Sequence, residues 1–229
     1  MPEKSKLVLV EGITGSGKSA VCRYMKDLGY SKCSAGTQLV EMGAPSGLDY
    51  NMVRWAMPSN GSIPWFWPQF SMILGHADYS IEDAQEIIKK HANALRRYDT
   101  SGLTNDECFV LGYVTWNELL KRRNAMLEEG KNIVIESVID RDVSSLLLGR
   151  TDAEEYLIRM HVDRNVAVKR KMHNDWPKEI ARKMLFERKY DFYSPQDIVP
   201  KAVLVEYRYN SYRDKLLIQE DLRRRFGRK

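Results

Sequence analysis

The chain has 229 residues, and its 43% hydrophobic side chains suffice to bury one α/β core with room for an inserted subdomain. A formal net charge of +5 permits anionic ligands without by itself indicating nucleic acid, and no apolar run reaches membrane-spanning length. Cys22, Cys33 and Cys108 are odd in number and lack metal-ligand spacing, so free thiols, no zinc site and a cytoplasmic setting are expected; the short, charged Met1 to Lys6 gives no export signal.

In chain order, the apolar run Leu7-Val8-Leu9-Val10 predicts a buried strand over 6–11. A helix-compatible stretch over 18–28 follows, stopped by Gly29, then a strand over 30–34 and a helix over 36–43. The stretch 44–80 breaks the pattern. Pro45, Pro58, Pro64 and Pro68 argue against long regular elements there, while Trp55, Trp65, Phe66, Trp67 and Phe70 need something to pack against. An ordered, aromatic-rich insertion is expected. Helical periodicity then covers 80–97, 112–129, 141–149, 164–173, 176–191 and 210–225, with strands over 131–138, 155–162 and 200–207. Alternation of this kind predicts a parallel sheet of five strands with helices on both faces.

Between the first strand and the first helix stands Gly12-Ile13-Thr14-Gly15-Ser16-Gly17-Lys18-Ser19, the pattern G-x-x-x-x-G-K-[ST]. Gly12, Gly15 and Gly17 let the backbone curl around phosphates with its N–H groups inward, Thr14 and Ser16 complete the cradle, and the following helix adds its positive end. Lys18 supplies a mobile charge to the β- and γ-phosphates, and the Ser19 hydroxyl is placed to hold Mg²⁺. These residues predict a nucleoside triphosphate as ligand and leave its base open.

Phosphoryl transfer asks for cations converging from the side opposite Lys18. The richest source is 164–189, with Lys169, Arg170, Lys171, Arg182, Lys183, Arg188 and Lys189 on two predicted helices. A solvated basic face is the competing reading of such a run. Glu136 ends a predicted central strand, where open α/β sheets place their ligands, and is read either as a carboxylate ordering Mg²⁺ or the acceptor, or as a buried structural Glu. Asp163 is read as the cap of the helix that starts at 164. Arg123 falls within the apolar stripe of its helix, where a cation either meets an anion or snorkels outward; Arg54, beside Trp55, is a further acceptor-side cation. The basic tail Arg223 to Lys229 permits contact with phosphate backbones but reads by default as a frayed end.

Joined to the phosphate loop, Leu28-Gly29-Tyr30-Ser31-Lys32-Cys33-Ser34-Ala35-Gly36 resembles the nucleoside monophosphate kinases, most of all the archaeal-type cytidylate kinases. The resemblance continues at Asn132-Ile133-Val134-Ile135-Glu136, at Glu187-Arg188-Lys189-Tyr190-Asp191 and, more loosely, at Pro200 to Val205, in the family's order and framing about half the chain. It implies a three-layer P-loop kinase fold with a core of 1–43 and 111–229, a lid of about 164–191 and an acceptor-side insertion at 44–110. It also implies ATP and Mg²⁺ as cofactors, Arg170 and Arg188 as the lid pair, and Ser34 and Gly36 beside the acceptor. Two departures bear on the acceptor. Leu39, Val40 and Glu41 stand where the family carries a phosphate-gripping arginine, and Ser137 replaces the arginine after the strand carboxylate, with Arg141 just beyond.

The resulting expectation is transfer of a γ-phosphate to a nucleotide or nucleoside-type acceptor. Two other readings remain open: a kinase acting on nucleic acid or a modified base within it, and a regulatory module that only hydrolyses the triphosphate. The sequence leaves oligomeric state undetermined.

Overall fold

Leu7, Val8, Leu9 and Val10 are all fully buried, so side chains pointing to both faces of their strand are covered. Burial on both faces is the signature of a central strand in a helix-covered parallel sheet. A computed structural model, describing residues 4–46, 79–97, 99–137, 141–149, 151–173, 178, 182, 185, 193–194 and 200–227, places that strand, β1 (Lys6–Gly12), in the middle of five. The others are β2 (Ser31–Ser34), β3 (Ile133–Glu136), β4 (Glu154–His161) and β5 (Val203–Arg208), in spatial order β2-β3-β1-β4-β5 and all parallel. Leu7 pairs with Ile133 and Glu155, and the register runs on to Val10 with Glu136 and Ile158 and to Glu11 with Arg159. Parallel strands bring every carboxyl end to one edge, where the loops are.

The chain forms two compact units, residues 1–33 with 125–229 and residues 34–124. In the first, α1 (Lys18–Asp27) and α8 (Tyr212–Phe226) bury Val21, Cys22, Met25, Ile218, Leu222 and Phe226 against Val8, Val10, Val134 and Ile158. Each such side chain withdrawn from water stabilises the fold by about 1.5–3 kcal/mol before chain entropy is counted. Ile13, Ala167, Val168 and Leu185 form a smaller cluster around α7 (Arg164–Met172). The first unit also holds α6 (Arg141–Leu147). No helix among the described residues is long and apolar enough to cross a membrane.

The second unit contains α2 (Ala35–Glu41), α3 (Ile81–Lys90), α4 (Ala92–Leu95) and most of α5 (Asn105–Glu128). Leu111 to Trp116 of α5 are buried without interruption, so this helix is covered all round at its middle. Two sequence expectations are corrected here. The single helix over 80–97 is two, because His91 leaves helical geometry (φ −102°, ψ 11°) and its Nε2 lies 3.1 Å from Glu107 Oε1. The helix expected from 112 begins at Asn105: Thr104 and Glu107 form a reciprocal cap, with Glu107 N donating to Thr104 Oγ1 at 3.2 Å and Thr104 N to Glu107 Oε2 at 2.8 Å. Nearly all of the expected helix over 176–191 and of the aromatic stretch 44–80 lies outside the described residues.

Candidate functional site

At the carboxyl edge, β1 runs directly into the glycine-rich loop, and the loop into α1. Gly15 (φ 80°) and Gly17 (φ 96°) occupy the left-handed region. A Cβ on Gly15 would lie 2.8 Å from the Ala167 carbonyl oxygen, and one on Gly17 would strike the Tyr209 ring, so glycine is required at both positions for space as well as conformation. Gly17 stands at the N-cap position of α1 without a side-chain cap, and the first turn carries no acidic side chain, as in α2 and α7 but unlike α3, α5 and α8. The N–H groups and partial positive charge of this helix end are thereby left for an external anion. Lys18 folds back and donates to the carbonyl oxygens of Gly12 at 2.9 Å and Ile13 at 3.0 Å. Thr14 and Ser16 are buried in the loop, and Ser16 Oγ has no hydrogen-bond partner among the described residues.

Glu136, at the end of β3, faces the start of α1. Its Oε1 accepts a short hydrogen bond from Ser19 Oγ, and its Oε2 forms an ion pair with Lys32 Nζ at 2.8 Å. Burial raises the Glu136 pKa, but the charges of Lys18 and Lys32 and the hydrogen bonds from Lys32 and Ser19 outweigh it, so the carboxyl sits below its usual range and is ionised. Serine hydroxyl and carboxylate are both hard oxygen donors, the kind Mg²⁺ prefers, so the pair fits the metal expected at Ser19. Lys32 is a site cation missed in the sequence reading. The available signal was a lysine at the second position of an edge strand whose other neighbours are small or apolar.

Arg170, near the end of α7, donates to the Gly15 carbonyl at 3.2 Å and lies 3.9 Å above the Tyr209 ring, so this cation does reach the phosphate loop. Arg54 and Arg188 lie outside the described residues, as does the Arg141 side chain, although Arg141 opens α6. Ser34 caps α2: its Oγ accepts from Thr37 N at 3.1 Å, and Gly36 lies in the first turn. Arg123 is buried and donates twice to Asn124 Oδ1, at 3.0 and 2.8 Å, rather than snorkelling outward. Glu41 is gripped by Arg122, whose Nη1 approaches its two oxygens at 2.7 and 2.9 Å. Asp163 occupies the N-cap position of α7, but its carboxylate makes no cap bond. It accepts instead from Asn210 Nδ2 at 2.7 Å, which ties the end of β4 to the end of β5.

A second carboxylate, unforeseen from sequence, lies one residue before the loop. Glu11 is fully buried and accepts from Arg159 Nε at 2.5 Å, Tyr193 Oη at 2.7 Å and Ser144 Oγ at 3.0 Å. Arg159 also donates to the Tyr193 carbonyl at 3.0 Å and lies 4.8 Å from that ring's centroid. Because Val10 and Glu136 are in register and side chains alternate, Glu11 points to the face opposite Glu136. The readable signal was a charged residue directly after an apolar run in each of two strands, Glu11 after Leu7–Val10 and Arg159 after Leu157 and Ile158.

No protein-family model and no curated protein sequence matches the chain. Among solved structures it is similar to a candidate kinase from Chloroflexus aurantiacus, with a TM-score of 0.51 and 12% identity over 98% of this chain and 97% of that one. Lower similarities join it to a gluconokinase from Sinorhizobium meliloti (TM-score 0.45, 16% identity, 96% and 94% covered) and a sugar kinase from Janibacter sp. (0.44, 12%, 95% and 92%). At these identities the likeness shows the fold, a parallel α/β sheet flanked by helices, and gives no support to a specificity of the archaeal cytidylate kinase type.

Proposed function

We infer that the chain is an ATP-dependent phosphotransferase that moves the γ-phosphate to a small acceptor of nucleotide or nucleoside type. The observation that carries this reading is the phosphate loop between β1 and α1, with its helix end uncompensated and Ser19 hydrogen-bonded to Glu136. In the mechanism that follows, loop N–H groups hold the triphosphate, and Lys18 exchanges its bonds to Gly12 and Ile13 for phosphate oxygens. Arg170, already at the loop carbonyl, turns toward the transferring group and neutralises charge that spreads over its equatorial oxygens. Ser19 and Glu136 are the residues that would hold Mg²⁺, which would neutralise phosphate charge. Arg188, Ser34 and Gly36 are lid or acceptor-side assignments that rest on the sequence resemblance, Arg141 stands just beyond the position where the family carries an arginine, and Arg54 and Arg123 are acceptor-side assignments that rest on their aromatic and apolar sequence neighbours.

The test incubates the full chain with labelled ATP and a panel of nucleosides and nucleoside monophosphates. Label on an acceptor is expected, and Lys18→Ala is expected to lower transfer by about 100- to 1,000-fold or more. Label found only in free phosphate would replace the kinase reading with hydrolysis, and normal turnover by Lys18→Ala would move the site elsewhere.

A further inference from the structure

Glu136 is the carboxylate that a divalent cation at Ser19 would meet, and it is already engaged by Lys32. Among the described residues, the charged groups that act on Glu136 are Lys18 and Lys32, both positive. No group of three or more His, Cys, Asp or Glu side chains able to hold a metal exists among the described residues. A bare divalent cation approaching Ser19 would therefore find one carboxylate, shared with an ammonium 2.8 Å away, and repulsion from two lysines. A cation that arrives chelated by a triphosphate brings an excess of negative charge, which offsets that repulsion and satisfies Lys18 at the same time.

We propose that Lys32 is a positioning residue that holds Glu136 in the ligand-free protein and keeps free divalent cations out, so that the metal enters only together with the triphosphate. The geometry supports an exchangeable clamp rather than a structural one. Lys32 projects from an edge strand with its side chain 30% exposed, and Glu136 is 18% exposed, so the ammonium has water to move into when the metal takes the carboxylate. A purely structural ion pair needs no opening of that kind. The inference rests on the triphosphate reading of the same loop and adds an order of binding to it.

The experiment uses the full chain and free Mn²⁺, followed by its electron paramagnetic resonance signal, without nucleotide. Wild type is expected to leave millimolar Mn²⁺ free, whereas Lys32→Met binds it about tenfold or more tightly, because one positive charge next to the carboxylate is gone. Lys32→Arg restores the wild-type weakness, and adding Glu136→Gln to Lys32→Met abolishes the gain. Lys32→Gln serves as a second variant, and circular dichroism melts confirm that each variant is folded. Equal Mn²⁺ affinity in wild type and Lys32→Met, or a gain that survives Glu136→Gln, overturns the proposal. Mn²⁺–ATP binding by wild type reads the underlying assignment separately. If that binding is absent, the triphosphate reading fails; if it is present while Lys32→Met shows no gain, only the role of Lys32 fails.

Discussion

Two carboxylates, Glu11 and Glu136, stand at the same edge of the sheet on adjacent strands, one step apart in register, and each holds a basic side chain. Glu11 is fully buried and shared among Arg159, Tyr193 and Ser144, while Glu136 is partly open and holds Ser19, which is exposed, and Lys32. The chemistry is nearly the same on both faces of the sheet, but the freedom to change partners is not. A buried charge that loses its partner is stranded, so the Glu11 network is locked; a solvated pair can trade one cation for another. The face that can trade is the face on which α1 presents its uncapped end.

The largest expected effect breaks the locked side. Arg159→Met leaves the buried Glu11 charge without its guanidinium and should lower unfolding free energy by about 3–5 kcal/mol in a urea titration, with Glu11→Leu/Arg159→Met recovering most of it. A loss below about 1 kcal/mol for the single variant would show that the two faces do not differ as described. Next in size, Glu136→Gln should leave stability within about 1 kcal/mol of wild type while lowering phosphoryl transfer by about 100-fold, read as kcat with saturating ATP. Unfolding of that variant, with activity retained by the folded fraction, would place Glu136 on the structural side.

Asp221 gives the smallest effect and sharpens the comparison, because its side chain is 17% exposed against 18% for Glu136. Burial raises its pKa, but hydrogen bonds from Tyr207, Arg225 and Arg224 overcome this and bring it down from 3.8 to about 2. A folded-state value below the unfolded one means that the contribution is complete above about pH 4 and is lost as pH falls toward 2. With solvent screening of its exposed arginines taken into account, about 1–2 kcal/mol should disappear over that window in wild type and be missing from Asp221→Asn at pH 6. An Asp221→Asn melt that tracks wild type from pH 6 down to pH 2 would show that the Tyr207 and arginine grip contributes nothing. Similar exposure hides a different job: Asp221 is held by Arg224 and Arg225 of its own helix at i, i+3 and i, i+4 and is tied to β5 by Tyr207 Oη, whereas both partners of Glu136 are hydrophilic groups from other elements, Ser19 of α1 and Lys32 of β2.

The strands and the phosphate loop were legible because each announces itself within a dozen residues, by apolar runs, by the glycine spacing and by Gly29 as a stop. Glu136 was legible from its place at a strand end. Lys32 and the Glu11–Arg159 pair were not, because their meaning depends on which strands are neighbours: Glu11 and Arg159 are 148 positions apart and meet only through the β1–β4 register. The division of 80–97 into two helices has the same origin, since His91 turns toward Glu107 on α5. The start of α5 was different. Its Thr104-x-x-Glu107 cap was written in the sequence and was overlooked because the stretch before Gly112 read as part of the insertion.

The carbonyl oxygens of Gly12, Ile13 and Gly15 keep Lys18 and Arg170 occupied in the absence of ligand. Any anion that enters must replace those bonds before it gains from the same cations, and the spread of the oxygens it offers decides whether it does. A lone phosphate or sulfate presents its four oxygens at one point, whereas a triphosphate spreads its oxygens over three phosphorus centres and so spans the loop N–H groups and both side chains. On the triphosphate reading, extent rather than charge alone would separate the ligand from the small anions of a cell.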